Sequence, residues 1–265
     1  MQIFGNFTQP LPDPRLLIIT DERNPKAADA AAPYRSLVKP QPNLIMVFGG
    51  DGFMLRTVRR LWHKRLPFFG VNVGHLGFLL NEPSLLHGRL PEHLHIHHLP
   101  FLEVSVHRTD GKRRNVLAFN DAWVERAKSQ TAWIEVRQNR EIRLDRLVAD
   151  GALVATPAGS TAYASAMGAS PLPLDAQALV LAGSNVAEPI GFRPCYLSLN
   201  SEILLRAADP IKRPLNGVVD GINLGRVSSL HIAVSPTATV QLAFGGSNGL
   251  AEKLARKQFP SQVSS

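Results

Sequence analysis

Cysteine is nearly absent from this 265-residue chain, where Cys195 is the only one. That excludes an internal disulfide and a cysteine-based zinc site, fits a reducing compartment, and makes the lone thiol read as a small buried apolar residue. Long apolar runs are also missing. No stretch reaches the roughly 18 consecutive apolar residues of a membrane span, and the amino terminus lacks the charged, apolar, small-residue pattern of a secretion signal. A cytoplasmic protein with no membrane partner is expected. Acidic residues are the minority, 21 against 29 lysines and arginines, giving a formal net charge of +8 and a pI near 10.1. The positive residues are spread over 56–65, 112–114, 126–146 and 206–213 without a tail, repeat or nucleic-acid motif. No nucleic-acid partner is expected; the field of such a surface favours small polyanions. The chain is 45% hydrophobic, enough to bury a core in one large or two modest domains.

Three short segments carry the chemistry. The first, Gly49-Gly50-Asp51-Gly52, follows an apolar run at 43–48 (NLIMVF) that suits a buried strand, and precedes a helical stretch. Glycines at such a junction let the backbone turn and approach a ligand closely, and the helix start offers unpaired N–H groups and partial positive charge to phosphate. A carboxylate there would be repelled by phosphate. Asp51 therefore reads as a proton acceptor for a substrate hydroxyl or a ligand to magnesium, the alternative being a plain tight turn with Asp as the helix cap. The second segment is Asn120-Asp121. The third, residues 150–163 (DGALVATPAGSTAY), repeats the strand-loop-helix pattern: 152–155 is strand-like, Pro157 and Gly159 break it, and Ser160 or Thr161 can cap a helix running into Tyr163 and Ser165. Its hydroxyls and N–H groups suit ribose or phosphate oxygens, Tyr163 offers a flat face with a polar tip, and Asp150 can accept from a ribose hydroxyl or amide.

Along the chain, 16–20 reads as a first strand, 24–38 as a helix interrupted by Pro33, 53–65 as a helix with apolar residues at 54, 55, 58, 61 and 62, and 67–71 as another strand. Strands alternating with helices imply a parallel sheet with ligands at the strand carboxyl ends, where 49–52 and 72–78 both fall. After residue 99 the pattern turns β-rich: 101–107 and 113–119 flank a turn at 109–112, 131–138 and 141–145 flank another, and 201–207, 216–223, 229–234 and 239–244 read as further strands. The last residues of the tail at 245–265 read as disordered.

These segments resemble the NAD kinase family, which phosphorylates the adenosine ribose 2′-hydroxyl of NAD to make NADP. The resemblance covers most of the chain and rests on VFGGDGFMLR at 47–56, GVNVGHLGFL at 70–79, FNDAWVER at 119–126, DGALVATPAGSTAY at 150–163 and GFRP at 191–194. It implies a Rossmann-like α/β amino-terminal domain at 1–99, a β-sandwich-like carboxyl-terminal domain at 100–244, and a terminal segment at 245–265 that returns to the first. By the same resemblance Asp51 orients and deprotonates the attacking hydroxyl, while Gly49, Gly50 and Gly52 admit the phosphates of ATP. Arg56 reaches a phosphate oxygen or is a plain exposed helix arginine, and Phe78 covers a base or packs in the core. Asn120 and Asp121 match the family's Asn-Glu pair, which holds the acceptor nucleotide, and Asp150, Ala158, Thr161, Ala162 and Tyr163 match its remaining dinucleotide contacts, with Ser165 and Ala166 at the border. A divalent metal, Mg2+, and a homodimer or homotetramer with neighbouring subunits contributing to the pocket are also implied. The site is then a cleft between the domains.

The chain departs from the family in places. Asp121 is one methylene shorter than the usual Glu, Phe53 stands where many members have Thr, Gly168-Ala169-Ser170-Pro171 replaces a Gly-Gly-Pro or His-Gly-Pro, and Val148 removes a hydrogen-bonding contact. His93, His95, His97 and His98 alternate as a metal-binding strand would, but with only Glu92 nearby and a linker position they read as solvated side chains. A lipid or sugar kinase of the same superfamily would share Gly-Gly-Asp-Gly but lack the GSTAY and Asn-Asp segments. A dinucleotide-binding regulator without turnover would have no need of Asp51.

Overall fold

The computed structural model describes residues 5–74, 77–86, 88–246 and 248–259. The fold is mixed α/β with extensive β-sheet, and the chain divides into two compact units: Met1–Leu99, Pro173–Asp175 and Ala238–Ser265 form the first, Pro100–Leu172 and Ala176–Thr237 the second. His75 and Leu76 of the 70–79 motif, and 260–265 of the tail expected to be disordered, lie outside the described residues.

In the first unit, β1 (Gly5–Pro10), β2 (Leu16–Thr20), β3 (Leu44–Gly49) and β4 (Phe68–Asn72) are followed by the long β5 (His93–Arg108). β3 lies between β2 and β4, parallel to both, and every one of its residues is buried. That explains its unbroken apolar run: a parallel strand covered on both faces has no solvent side on which to alternate. The helix α1 (Pro25–Ala31) opens with the Asn24 side chain accepting from the Lys26 N–H. It is shorter than the 24–38 reading, because the chain tightens into a 3₁₀ turn at Ala32–Leu37 with Pro33 in its first turn. The helix α2 (Asp51–Leu61) starts two residues earlier than the apolar spacing suggested, with Gly50 as an N-cap that offers no side chain. Met54, Thr57 and Val58 are its buried stripe.

β5 corrects the reading of 92–98 as a linker. Its first half pairs antiparallel with β1, from Gly5 opposite His98 to Pro10 opposite His93. Leu94 and Ile96 point into the core between the histidines. The ring of His97 packs edge-on against Phe244 with centroids 5.5 Å apart, and burial lowers its pKa. His98 Nε2 lies 2.9 Å from Thr239 Oγ1, so neither side chain is simply solvated.

The second unit contains β6 (Arg113–Ala118), β7 (Asp121–Arg126), β8 (Ala132–Gln138), β9 (Glu141–Ala149), β10 (Gly151–Ala155), the four-residue helix α3 (Tyr163–Ala166), β11 (Ala178–Ser184), β12 (Cys195–Ser198), β13 (Ile203–Ala207), β14 (Leu215–Val219) and most of β15 (Ile222–Phe244). Its sheet runs β12-β11-β10-β7-β14-β15-β13-β8-β9, with antiparallel neighbours. The stretch 216–223, read as one strand, is a hairpin instead: Asp220 and Gly221, at φ 46° and 77°, turn β14 into β15. The Asp-Gly pair that favours such a turn is present in the sequence. Cys195 is exposed rather than buried, at the start of β12, which among the described residues pairs only with β11 and leaves most of its side chains open. After β15 comes α4 (Asn248–Gln258), within the first unit.

Candidate active site

In the first unit β3 delivers the chain into Gly49-Gly50-Asp51-Gly52, and α2 begins at Asp51. None of the three glycines has a positive φ. Their lack of a side chain serves close approach rather than a left-handed turn. A Cβ on Gly49 would lie 2.6 Å from Cδ1 of Phe53, so the space at Gly49 is taken by the Phe53 ring and not offered to a ligand. Gly50 faces open space, and a Cβ on Gly52 would meet only Arg56 Nη1 at 3.8 Å. The exposed guanidinium of Arg56 lies 5.6 Å from the Phe53 ring centroid.

Asp51 is half-buried, and both of its oxygens are engaged. Oδ2 accepts from the Phe78 N–H at 2.8 Å and Oδ1 from the Leu79 N–H at 3.0 Å. Burial raises its pKa above the ordinary carboxylate range, while those two N–H groups and the charges of Lys253 and Lys257 work against the rise. The donating loop is itself tied down. Asn81 Nδ2 donates to the carbonyls of Gly70 and Ala243, and Asn81 Oδ1 accepts from the Gly245 N–H. Phe78 is partly buried, its ring 4.9 Å from Lys257 Nζ, so its apolar face already has a cation over it.

In the second unit the Asn120-Asp121 pair sits at the start of β7, fixed by Asp220, a residue the sequence reading missed. The Asp220 carboxylate accepts from the N–H groups of Phe119 (2.8 Å), Asn120 (2.8 Å) and Asp121 (3.2 Å), while the Asp220 N–H donates to the Asp121 carbonyl at 3.0 Å. Thr156 closes the other side, its hydroxyl donating to the Phe119 carbonyl at 2.7 Å and its N–H to that of Asn120 at 2.9 Å. Asn120 Oδ1 is buried with no hydrogen-bond partner among the described residues, an acceptor in want of a donor. Asp121 is 4% exposed, and burial, then the negative charge of Asp220, pushes its pKa up to about 7. At neutral pH that carboxyl can donate as well as accept.

The 150–163 segment is more compact than expected. Gly159 packs directly on the Asn120 carbonyl, where any Cβ would collide. Ser160 is fully buried and caps no helix: its hydroxyl donates to the Pro157 carbonyl at 2.7 Å and accepts from the Leu172 N–H at 2.8 Å. Thr161 Oγ1 donates to the Ala158 carbonyl at 3.3 Å, and Ala158 is buried. Ala162 and Ala166 are exposed, Ser165 partly so, and Tyr163 keeps 40% of its surface open. An open cavity of about 540 Å³ brings Asp150 and Tyr163 together with Trp123, Arg126, Asn185 and Asn216. The Trp123 and Tyr163 rings meet edge to face, centroids 5.1 Å apart. Arg126 Nε pairs with Asp150 at 2.6 Å and Asn185 Nδ2 donates to it at 2.8 Å, so a ribose hydroxyl at Asp150 would share that carboxylate with an arginine. Asn120, Asp121, Thr161, Ala162, Ser165 and Ala166 do not line this cavity. Among the described residues no three His, Cys, Asp or Glu side chains gather as a metal cage, the histidines of β5 included.

A family profile described as the ATP-NAD kinase N-terminal domain matches residues 20–84, the region holding β3, α2 and the Asp51 loop. Over a wider span that takes in this region, the chain is 36% identical over 241 residues to the NAD kinase of Rhizorhabdus wittichii, covering 88% of this chain and 93% of the relative. The chain belongs to the NAD kinase family. The NAD kinase of Zymomonas mobilis is likewise 36% identical, over 89% of this chain and 94% of its own. Among solved structures, the fold resembles yeast NADH kinase complexed with NADH (TM-score 0.78, 18% identity, 96% of this chain and 89% of that one). It also resembles an NAD kinase from Archaeoglobus fulgidus in complex with ATP (TM-score 0.68, 22% identity, 91% and 98%). Two places where this NAD kinase departs from its family, Phe53 and the 168–171 segment, each involve a glycine whose geometry the structure explains. Phe53 requires Gly49 beneath it, and Gly168, at φ 84°, closes α3 in the left-handed region.

Proposed function

We propose that this NAD kinase transfers the γ-phosphate of ATP to the adenosine ribose 2′-hydroxyl of NAD, with Asp51 as the base. The observation that carries the assignment is the half-buried Asp51 carboxylate held by two backbone N–H groups at the start of α2. Each oxygen accepts one N–H and keeps lone-pair capacity for a substrate hydroxyl, so the base is oriented without being used up. The hydroxyl gives its proton to Asp51 as the O2′–P bond forms and the bond from the γ-phosphorus to the β-phosphate oxygen breaks, releasing ADP. Gly50 and Gly52 leave room for phosphate beside the positive end of α2, and Arg56 supplies a nearby cation.

The second unit supplies recognition. Asn120 Oδ1 accepts from an amide or adenine N–H, Asp121 meets ribose, and Tyr163, Thr161, Ala162, Ser165 and Ala166 border the dinucleotide, with Asp150 accepting from a ribose hydroxyl. Asp51 keeps lone-pair capacity that suits one contact to a magnesium held chiefly by the ATP phosphates, while among the described residues no three candidate ligands gather as a cage built by the protein alone. Magnesium accordingly enters as part of the Mg–ATP substrate. The finer architecture, a Rossmann-like first domain and a β-sandwich-like second, together with a cytoplasmic homodimer or homotetramer, completes the reading.

The test mixes protein, NAD, ATP and magnesium and looks for NADP. Absence of product with the wild type, or full product with Asp51→Asn, overturns the assignment. Replacing NAD by NADH and ATP by polyphosphate in the same assay fixes the acceptor and donor.

A further inference from the structure

The side chain of Lys253 on α4 is only 14% exposed, and its ammonium has three partners: the Gly77 carbonyl at 2.7 Å, the Leu80 carbonyl at 2.6 Å and Glu82 Oε1 at 2.9 Å. An ammonium has three donors, so its hydrogen-bonding capacity is matched. Those partners bracket Phe78 and Leu79, the two residues whose N–H groups hold Asp51.

Peptide planarity ties the two sets of contacts together. The Gly77 carbonyl and the Phe78 N–H belong to one planar trans unit and point in opposite directions. Lys253 pulls on one end of that plane while Asp51 accepts from the other. The Leu80 carbonyl shares its plane with the Asn81 N–H, which donates to the Gly70 carbonyl at 2.7 Å, so the far end of the loop is fixed in the same way. Rotation of either plane would swing an N–H away from the base or break a bond to a buried cation.

We infer that Lys253 is a positioning residue for phosphoryl transfer: through the Gly77–Phe78 peptide plane it sets the direction in which Asp51 is held, making α4 part of the active machinery. This rests on the reading of Asp51 as the base. Among the described residues the charges that face Asp51 are Lys253 and Lys257, and both favour its ionised form against burial. Loss of Lys253 therefore misaligns the base and leaves its proton harder to remove.

Lys253→Met keeps most of the stem packing and removes the three donors; Lys253→Arg keeps charge and donors. Lys253→Met should lower kcat roughly 10- to 100-fold, with KM for NAD moving less than about threefold, and should shift the acid limb of the kcat profile to higher pH. Lys253→Arg should restore part of kcat. Hydrogen exchange at the Phe78 and Leu79 amides, read on the same preparations, should accelerate in Lys253→Met and judges the clamp whether or not Asp51 proves to be the base. The inference is overturned if Lys253→Met keeps wild-type kcat, acid limb and amide exchange, or if kcat falls only as far as the folded fraction measured by thermal melting. Failure of the base assignment is recognised separately, by full activity of Asp51→Asn.

Discussion

A general base must be desolvated enough to want a proton and held firmly enough to take it from one direction. Asp51 meets both demands, since burial raises its pKa while two backbone N–H groups fix its plane. Asp51→Asn removes the proposed base and sets an amide NH2 against one of the two N–H donors, so kcat should drop roughly 10²- to 10⁴-fold in an NADP-forming assay and the melting temperature should fall as well. Asp121 gives a pH prediction. Its pKa rises from 3.8 to about 7 on folding, so between those values the folded chain binds more protons than the unfolded one. Stability should therefore fall as pH rises from about 4 to about 7 and level off above. Asp121→Asn, neutral throughout, should remove this component from melting temperatures measured over that range. Both carboxylates were visible as residue types in short motifs. Their environments were not, because burial and the facing Asp220 come from residues far away in sequence.

At the scale of elements, β3 and α2 were readable because their patterns are local: an unbroken apolar run for a strand covered on both faces, and a buried stripe at helical spacing. The hairpin at Asp220-Gly221 was equally local, but an apolar stretch on either side masked its turn residues. The loop it holds depends on it. Asp220→Asn tolerates the left-handed turn but cannot match a carboxylate accepting three N–H groups, and should cost about 1–3 kcal/mol in denaturant unfolding. Removing its charge should also bring the Asp121 component of the pH dependence to lower pH. Gly159→Ala should cost a further order of about 1–3 kcal/mol and raise KM for NAD, because the added methyl can be accommodated only by moving the Asn120 carbonyl. Wild-type stability and KM in that variant would show that the two segments move apart without consequence.

For the whole molecule, the division into units draws on distant pieces of chain. Pro173–Asp175 and Ala238–Ser265 join the first unit, and two of its boundaries fall inside β5 and β15 while the other two lie in the connection between α3 and β11. The pattern change after residue 99 gives no sign that the strand β5 already begins at His93, which is why 92–98 read as a connection. Apolar side chains remain open on the surface, Ile190 at 96% and Tyr196 at 46% exposed. The proposed assembly should appear in solution as a single species of twice or four times the chain mass; a sharp peak at monomer mass refutes it.

The sequence by itself determined the family, the Gly-Gly-Asp-Gly junction and the identity of Asp51, since these rest on residue types at fixed local spacing. Tertiary structure decided what surrounds them: the Phe78 and Leu79 N–H groups on Asp51, the Asp220 carboxylate under Asn120 and Asp121, and Lys253 of α4 behind the Gly77–Phe78 peptide. Those contacts join residues from 27 to 176 positions apart, and only folding brings such groups within hydrogen-bonding distance.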